Sequence, residues 1–212
     1  GIGNRDANLN FLNNVNKLGE KHNVIVDVVP GNHENWDYIN KQFAGSRTDV
    51  WEIGAHLRIL PRGYRWEQNG LSFLARGGAP SVDRMWRVEE QKGVKNTDFH
   101  YWWPAEILTQ EDVDYAVEGG YADVMIGHDV PHGVREIEDL ISGNPHGFHI
   151  ADLLYAEDGR KLITEAWMGV MPKFYIGGHY HPAYGVQETL WIPDSGGYKS
   201  QITVLGCNNQ PG

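Results

Sequence analysis

Val24-Ile25-Val26-Asp27-Val28-Val29, followed at once by Pro30-Gly31-Asn32-His33-Glu34, is the stretch on which the fold class turns. The first six residues are apolar but for one and mostly β-branched, which reads as a buried strand over residues 24–29, and Pro30-Gly31 closes it. Ahead of it Leu9, Leu12, Val15 and Leu18 recur at helical spacing within residues 8–21, and Gly19 with the His22-Asn23 pair helps to end that helix. A helix, a strand and a glycine-bearing polar loop in succession are the signature of an α/β fold.

The same arrangement of apolar run and polar cluster occurs twice more. Residues 122–126 lead into Gly127-His128-Asp129, and residues 173–176 lead into Gly178-His179-Tyr180-His181. Between the first two clusters, residues 64–68 and 71–76 flank Asn69-Gly70, a hairpin signal because both residues tolerate positive φ. Residues 77–104 carry many charges and weak periodicity, and read as a long excursion over one face that Trp86, Trp102 and Trp103 hold down. Thr109 with Asp112 three residues on predicts a capped helix running to Gly119-Gly120. A helical region over residues 148–170, broken at Asp158-Gly159, and two further strands near 184–189 and 201–205 complete the pattern. A single domain over residues 1–212 is expected, a layered sandwich of mixed β-sheets flanked by helices.

The formal net charge of -10 over 212 residues argues against an affinity that depends on neutralising a run of nucleic-acid phosphates, while a small phosphorylated substrate stays compatible. Cys207 is the one cysteine, so no internal disulfide can form and a reducing cytoplasmic location is the default expectation. No window approaches the roughly 18 apolar residues of a membrane span, and no charged-then-apolar leader opens the chain. The opening Gly1-Ile2-Gly3-Asn4-Arg5-Asp6 looks like the inside of a loop, and a preceding N-terminal segment is expected to be missing.

Loops beyond the carboxyl ends of strands are where ligands gather in α/β sheets, so the three clusters can converge on one site. Imidazole nitrogens and an amide oxygen suit Mn, Fe or Zn, and without thiolates a cysteine-type zinc site is excluded. His179 and His181 are separated by one residue and, on an extended segment, would share a face and reach one metal or two adjacent ones. The glycines before them allow the sharp bend that aims a ligand. His132, His146 and His149 read as surface or supporting groups, and Asp129 as a cap on the adjoining turn. Arg76, Arg84 and Arg87 could bind phosphate but read as partners of neighbours such as Asp83 or Glu89.

In these clusters the chain resembles the calcineurin-like metallophosphoesterase superfamily, whose ordered signature runs Asp-x-His, Gly-Asp-x-x-Asp, Gly-Asn-His-Asp/Glu, Gly-His and Gly-His-x-His. The last three elements match Gly31 to Glu34, Gly127-His128 and Gly178 to His181, in order. The resemblance covers residues 24–212. Gly77-Gly78-Ala79-Pro80-Ser81-Val82-Asp83-Arg84 with Trp102-Trp103-Pro104 is similar to a bacterial or phage branch of the superfamily. The resemblance implies a metallo-dependent phosphatase-like fold and two divalent metal ions, Mn, Fe or Zn, with Mg also admissible. Asn32, His128 and His179 would ligate one ion and His181 the other. His33 would protonate the leaving oxygen while metal-activated hydroxide attacks a phosphomonoester or phosphodiester.

The chain departs from the pattern at its beginning, where no Asp-x-His or Gly-Asp precedes residue 31. In the family those elements supply three ligands, including the carboxylate that bridges both metals, and Gly1-Ile2-Gly3 reads as the continuation of a missing Gly-Asp. Weak metal binding and slow or absent turnover are therefore expected of this chain alone. Two alternatives stand beside the phosphoesterase: a non-catalytic domain of the same fold used for protein binding, and a nuclease, which the acidic balance disfavours.

Overall fold

A computed structural model describes residues 6–93, 100–181, 184–192 and 198–207, with the backbone alone for 6–9 and 184–192; the opening Gly1 to Arg5 lies outside the described residues. The chain is α/β with two mixed sheets. Helix α1 (Asp6–His22), strand β1 (Val26–Val28), helix α2 (Trp36–Phe43) and strands β2 (Trp51–Glu52) and β3 (Leu57–Ile59) come first. They build a three-stranded sheet of order β1-β3-β2, in which β3 runs parallel to β1 and antiparallel to β2. Leu12, Trp36, Ile39, Phe43, Leu57 and Ile59 form its core.

The strand read over residues 24–29 is shorter and less buried than its composition implies. β1 is an edge strand paired only with β3, and Val24 and Ile25 remain 50% and 57% exposed. A β-branched run gives the strand its conformation, but burial on both faces needs neighbours on both sides.

The second sheet comprises β4 (Arg65–Gln68), β5 (Leu71–Arg76), β6 (Val124–Gly127), β7 (Phe174–Gly177), β8 (Tyr184–Ile192) and β9 (Tyr198–Val204), in the order β4-β5-β6-β7-β9-β8. β5, β6, β7 and β9 are parallel, and an antiparallel strand closes each flank. The β4–β5 hairpin turns at Asn69 and Gly70 with φ of 53° and 76°, the doubly left-handed geometry that matches strand twist. Helices α3 (Arg84–Lys92), α4 (Gln110–Glu118), α5 (Arg135–Gly143) and α6 (Ile150–Val170) accompany this sheet. Leu74, Met125, Ile137, Ile163, Trp167, Tyr175 and Ile202 are among the buried residues that join α5 and α6 to the strands. α4 begins in the expected capping box, Thr109 and Asp112 each bonding the other's backbone.

Three elements differ from the sequence reading. α6 runs unbroken through Asp158-Gly159, because Gly159 serves packing: a Cβ there would stand 2.9 Å from the Pro80 ring. The excursion over 77–104 contains α3, and it is anchored chiefly by Arg62. That guanidinium donates to the carbonyls of Gly77, Ala105, Glu106 and Ile107 and lies 3.8 Å from the Trp36 ring centroid. Of the tryptophans, Trp103 is buried as expected, whereas Trp86 is 60% exposed. Finally α5 was hidden in residues 134–141, although Val134, Ile137 and Ile141 carry helical spacing.

The carboxyl ends of the strands are tied to one another. Gly178 N–H donates to His128 C=O at 2.7 Å, Leu205 N–H to Gly177 C=O at 2.7 Å, and Gly78 N–H to Pro30 C=O at 2.8 Å. The last of these links the end of β5 to the loop after β1, so the two sheets meet where the polar clusters lie. Among the described residues, no helix is long and apolar enough to cross a membrane.

Candidate metal centre

Asn32 is buried, and its side chain is held at both ends. Nδ2 donates to Ser81 Oγ at 3.0 Å, and Ser81 Oγ donates in turn to Glu106 Oε2 at 2.7 Å. Glu106, fully buried, also accepts from Ser81 N–H at 2.7 Å, Trp102 Nε1 at 2.9 Å and the Tyr155 hydroxyl at 3.0 Å. Burial raises the Glu106 carboxyl pKa against the pull of these hydrogen bonds. The relay fixes the Asn32 amide so that Oδ1 faces His128 Nε2, 3.1 Å away. Two donors about 2.1 Å from one ion and at right angles to each other would be about 3.0 Å apart.

His128 follows β6 and lies flat against Gly31. A Cβ on Gly31 would come within 2.6 Å of His128 Cε1, so only glycine leaves room for the ring. His179 follows β7, and its ring meets that of His128 edge-on with centroids 5.3 Å apart. The segment that carries His179 and His181 is not extended, contrary to the reading from spacing. Tyr180 N–H donates to Gly178 C=O at 2.9 Å across His179, a γ-turn, and both histidines have positive φ, 72° and 75°. The carbonyl of His181 is held by Cys207 N–H at 2.9 Å.

His33 turns toward α3. Its Nε2 lies 3.0 Å from Arg87 Nη2, so it accepts there and the imidazole proton resides on Nδ1. Arg87 is buried, and its Nε pairs with Asp83 Oδ1 at 2.8 Å while Nη1 is buried without a hydrogen-bond partner among the described residues. Burial lowers three imidazoles. His128 falls to about 3, with His179 adding to the effect; His179 falls to about 4, helped by His33; and His33 falls to about 4, helped by Arg87. All three are neutral near pH 7, the state in which an imidazole can ligate a metal.

Asn32, His33, His128, His179 and His181 thus come together from three separated segments and line one cavity of about 700 Å³. Arg87 and Asp83, left aside in the sequence reading, line it too. Arg87 does pair with Asp83 as expected, and touches His33 as well. Arg84 does not pair with Asp83 or Glu89 but with Asp152 at 3.1 Å. Arg76 is buried at the end of β5, with Nε and Nη2 unpartnered. His132 stands apart, 3.5 Å from Glu157 and 3.7 Å from Glu138, and His149 caps α6, whereas His146 lines the cavity. Asp129 Oδ1 accepts from Val130 N–H at 2.7 Å, within the adjoining turn.

The donor set fits part of a metal shell. Asn32 Oδ1 and the neutral nitrogens of His128 and His179 are suitable ligand types, and the first two donors stand 3.1 Å apart. Among the described residues, however, no group of three or more His, Cys, Asp or Glu could hold an ion. Ser81 and Glu106 were missed, and Arg87 was named but left out of the site. The i, i+4 spacing of Asp83 and Arg87 could have marked a helical pair, but nothing in sequence joins Ser81 to Glu106. No protein-family model matches the chain, and no curated protein matches it.

Proposed function

We propose that this chain is a metal-dependent phosphoesterase of the calcineurin-like type, with the layered fold of that superfamily, hydrolysing a phosphomonoester or phosphodiester. The observation that supports it is the convergence of Asn32, His33, His128, His179 and His181 in one cavity at the carboxyl ends of strands. These are the residues that the motif resemblance singles out independently of any geometry.

Divalent ions, when bound, supply Lewis-acid activation of the phosphoryl group and neutralise its charge. Asn32, His128 and His179 would hold one of them and His181 would contribute to a second. The chain's own groups do the rest. Ser81 and Glu106 fix the Asn32 oxygen toward the site. Arg87 lines the cavity and places its positive charge beside a bound phosphoryl group while Nη2 holds His33. His33 carries its proton on Nδ1 while Nε2 accepts from Arg87. To protonate a leaving oxygen it must first take a second proton on Nε2, which breaks the Arg87 contact, and phosphate charge beside the ring favours that step.

The test pairs Mn(II) titration calorimetry with hydrolysis of phenyl phosphate and p-nitrophenyl phosphate. His128→Asn should lose Mn(II) affinity and both activities. His33→Asn should keep Mn(II) affinity and lose mainly the hydrolysis of phenyl phosphate, whose leaving group needs the proton. Equal loss of metal and activity in His33→Asn would make His33 structural.

A second function has one observation in its favour. The lack, among the described residues, of a closed group of three metal-type side chains suits a non-catalytic domain that binds protein through the same surface. Absence of any Mn(II) binding and any hydrolysis by the wild-type chain would decide for it.

A further inference from the structure

We infer that the apolar part of the cavity wall is a subsite for the hydrocarbon part of the ester, so that preferred substrates carry an alkyl or aryl group and no second phosphate. The inference rests on the phosphoesterase function proposed above. At about 700 Å³ the cavity has room for a whole drug-sized molecule, far more than a phosphate fills. Beside Asn32, the histidines and Arg87 it is lined by Val82, Leu140, Ile141, Phe148, Leu153 and Leu205, and His146 packs on Phe148 with ring centroids 5.6 Å apart.

This wall is built in advance. Asn144 closes the α5–α6 loop on itself, donating from Nδ2 to Phe148 C=O at 3.0 Å and accepting from Phe148 N–H at 2.9 Å. That fixes the backbone that carries Phe148. On α6, an arc of about 100° runs from Leu153 through Ile150 to Leu154. Ile150 and Leu154 are 64% and 59% exposed, so apolar surface continues outward from the cavity wall. Charge points the same way. Among the described lining residues no lysine and no arginine besides Arg87 is present, and Asp83 already pairs with Arg87. A second phosphate would find no lysine and no further arginine, whereas a hydrocarbon finds six apolar side chains.

The experiment measures binding of n-alkylphosphonates, methyl to octyl, and of AMP to the full chain in excess Mn(II). Each methylene up to hexyl should tighten binding about three- to fourfold. Leu153→Ala and Phe148→Ala should flatten the series and leave methylphosphonate affinity unchanged. A flat series in the wild-type chain with methylphosphonate still bound overturns the subsite alone, as does AMP binding more tightly than hexylphosphonate. A steep series reproduced by alkyl alcohols, and unaffected by His128→Asn, keeps an apolar subsite but removes the phosphoesterase function.

Discussion

Asn32 Oδ1 lies 3.1 Å from His128 Nε2, although 96 residues separate them in the chain. The contact joins the loop after the small sheet to the loop after the large one, and neither residue reaches the other unaided. Ser81 holds the amide from behind, and Gly31 leaves room for the ring.

Ser81→Ala removes the group that accepts from Asn32 Nδ2 and frees the amide to turn. Groups that orient ligands typically account for 10–100-fold in metal affinity, and about tenfold weaker Mn(II) binding is expected here. Calorimetry on a variant with an unchanged far-UV spectrum checks it. Unchanged affinity would mean that Asn32 needs no support from the Glu106 relay.

Gly31→Ala puts a methyl group within 2.6 Å of the His128 ring, which must then move. Stability should fall by about 1–3 kcal/mol, as overpacking does, and Mn(II) affinity should fall with it. Gly45→Ala serves as the control, since a Cβ there meets nothing within 4 Å, although its φ of 83° costs backbone strain of its own. The control should lower the melting temperature without touching metal affinity.

Arg87→Gln removes the guanidinium charge that lines the cavity and the contact to His33 together. Inorganic phosphate should bind about tenfold more weakly in the presence of Mn(II), in keeping with about 1.5 kcal/mol for a hydrogen bond to a charged group. Mn(II) affinity measured without phosphate should stay as it was. A loss confined to metal would place Arg87 in support of the ligands.

Asp112 ties α4 to the loop after α2 through Arg47 at 2.6 Å and to the loop after β3 through Arg62 at 3.5 Å. Burial alone would raise its carboxyl, but the Arg62 charge, the Thr109 hydrogen bond and Arg47 outweigh that and hold it below 3.8. The unfolded chain therefore takes up the proton first as pH falls. The stabilisation is complete above about 3.8 and disappears as pH drops through the folded-state value. Asp112→Asn should cost about 2 kcal/mol at pH 7. Urea unfolding at several pH values should show the gap to wild type constant down to about pH 4.5 and closing below it.

Local signals were legible in the sequence, and contacts across the chain were not. Asn69-Gly70 and the Thr109–Asp112 box state their geometry within four residues, and both formed as read. Gly159 looked like a helix break because the reason for it, the Pro80 ring, lies on another segment. The relay from Asn32 through Ser81 to Glu106 was invisible for the same reason. Of the candidate site, the five residues were nameable from their motifs. The γ-turn at His179 was not, since alternate spacing in a strand and two left-handed residues look alike in sequence.

His179 and His181 both occupy left-handed backbone that glycine adopts without strain and that costs another L-residue roughly 1–2 kcal/mol. At these two positions the demands of folding and of the proposed metal site are opposed. A library of variants screened by thermal resistance alone would drift first toward glycine here, and would lose its imidazoles while every other measure of the fold improved. Any programme to harden this protein has to hold these two codons fixed and look for gains elsewhere.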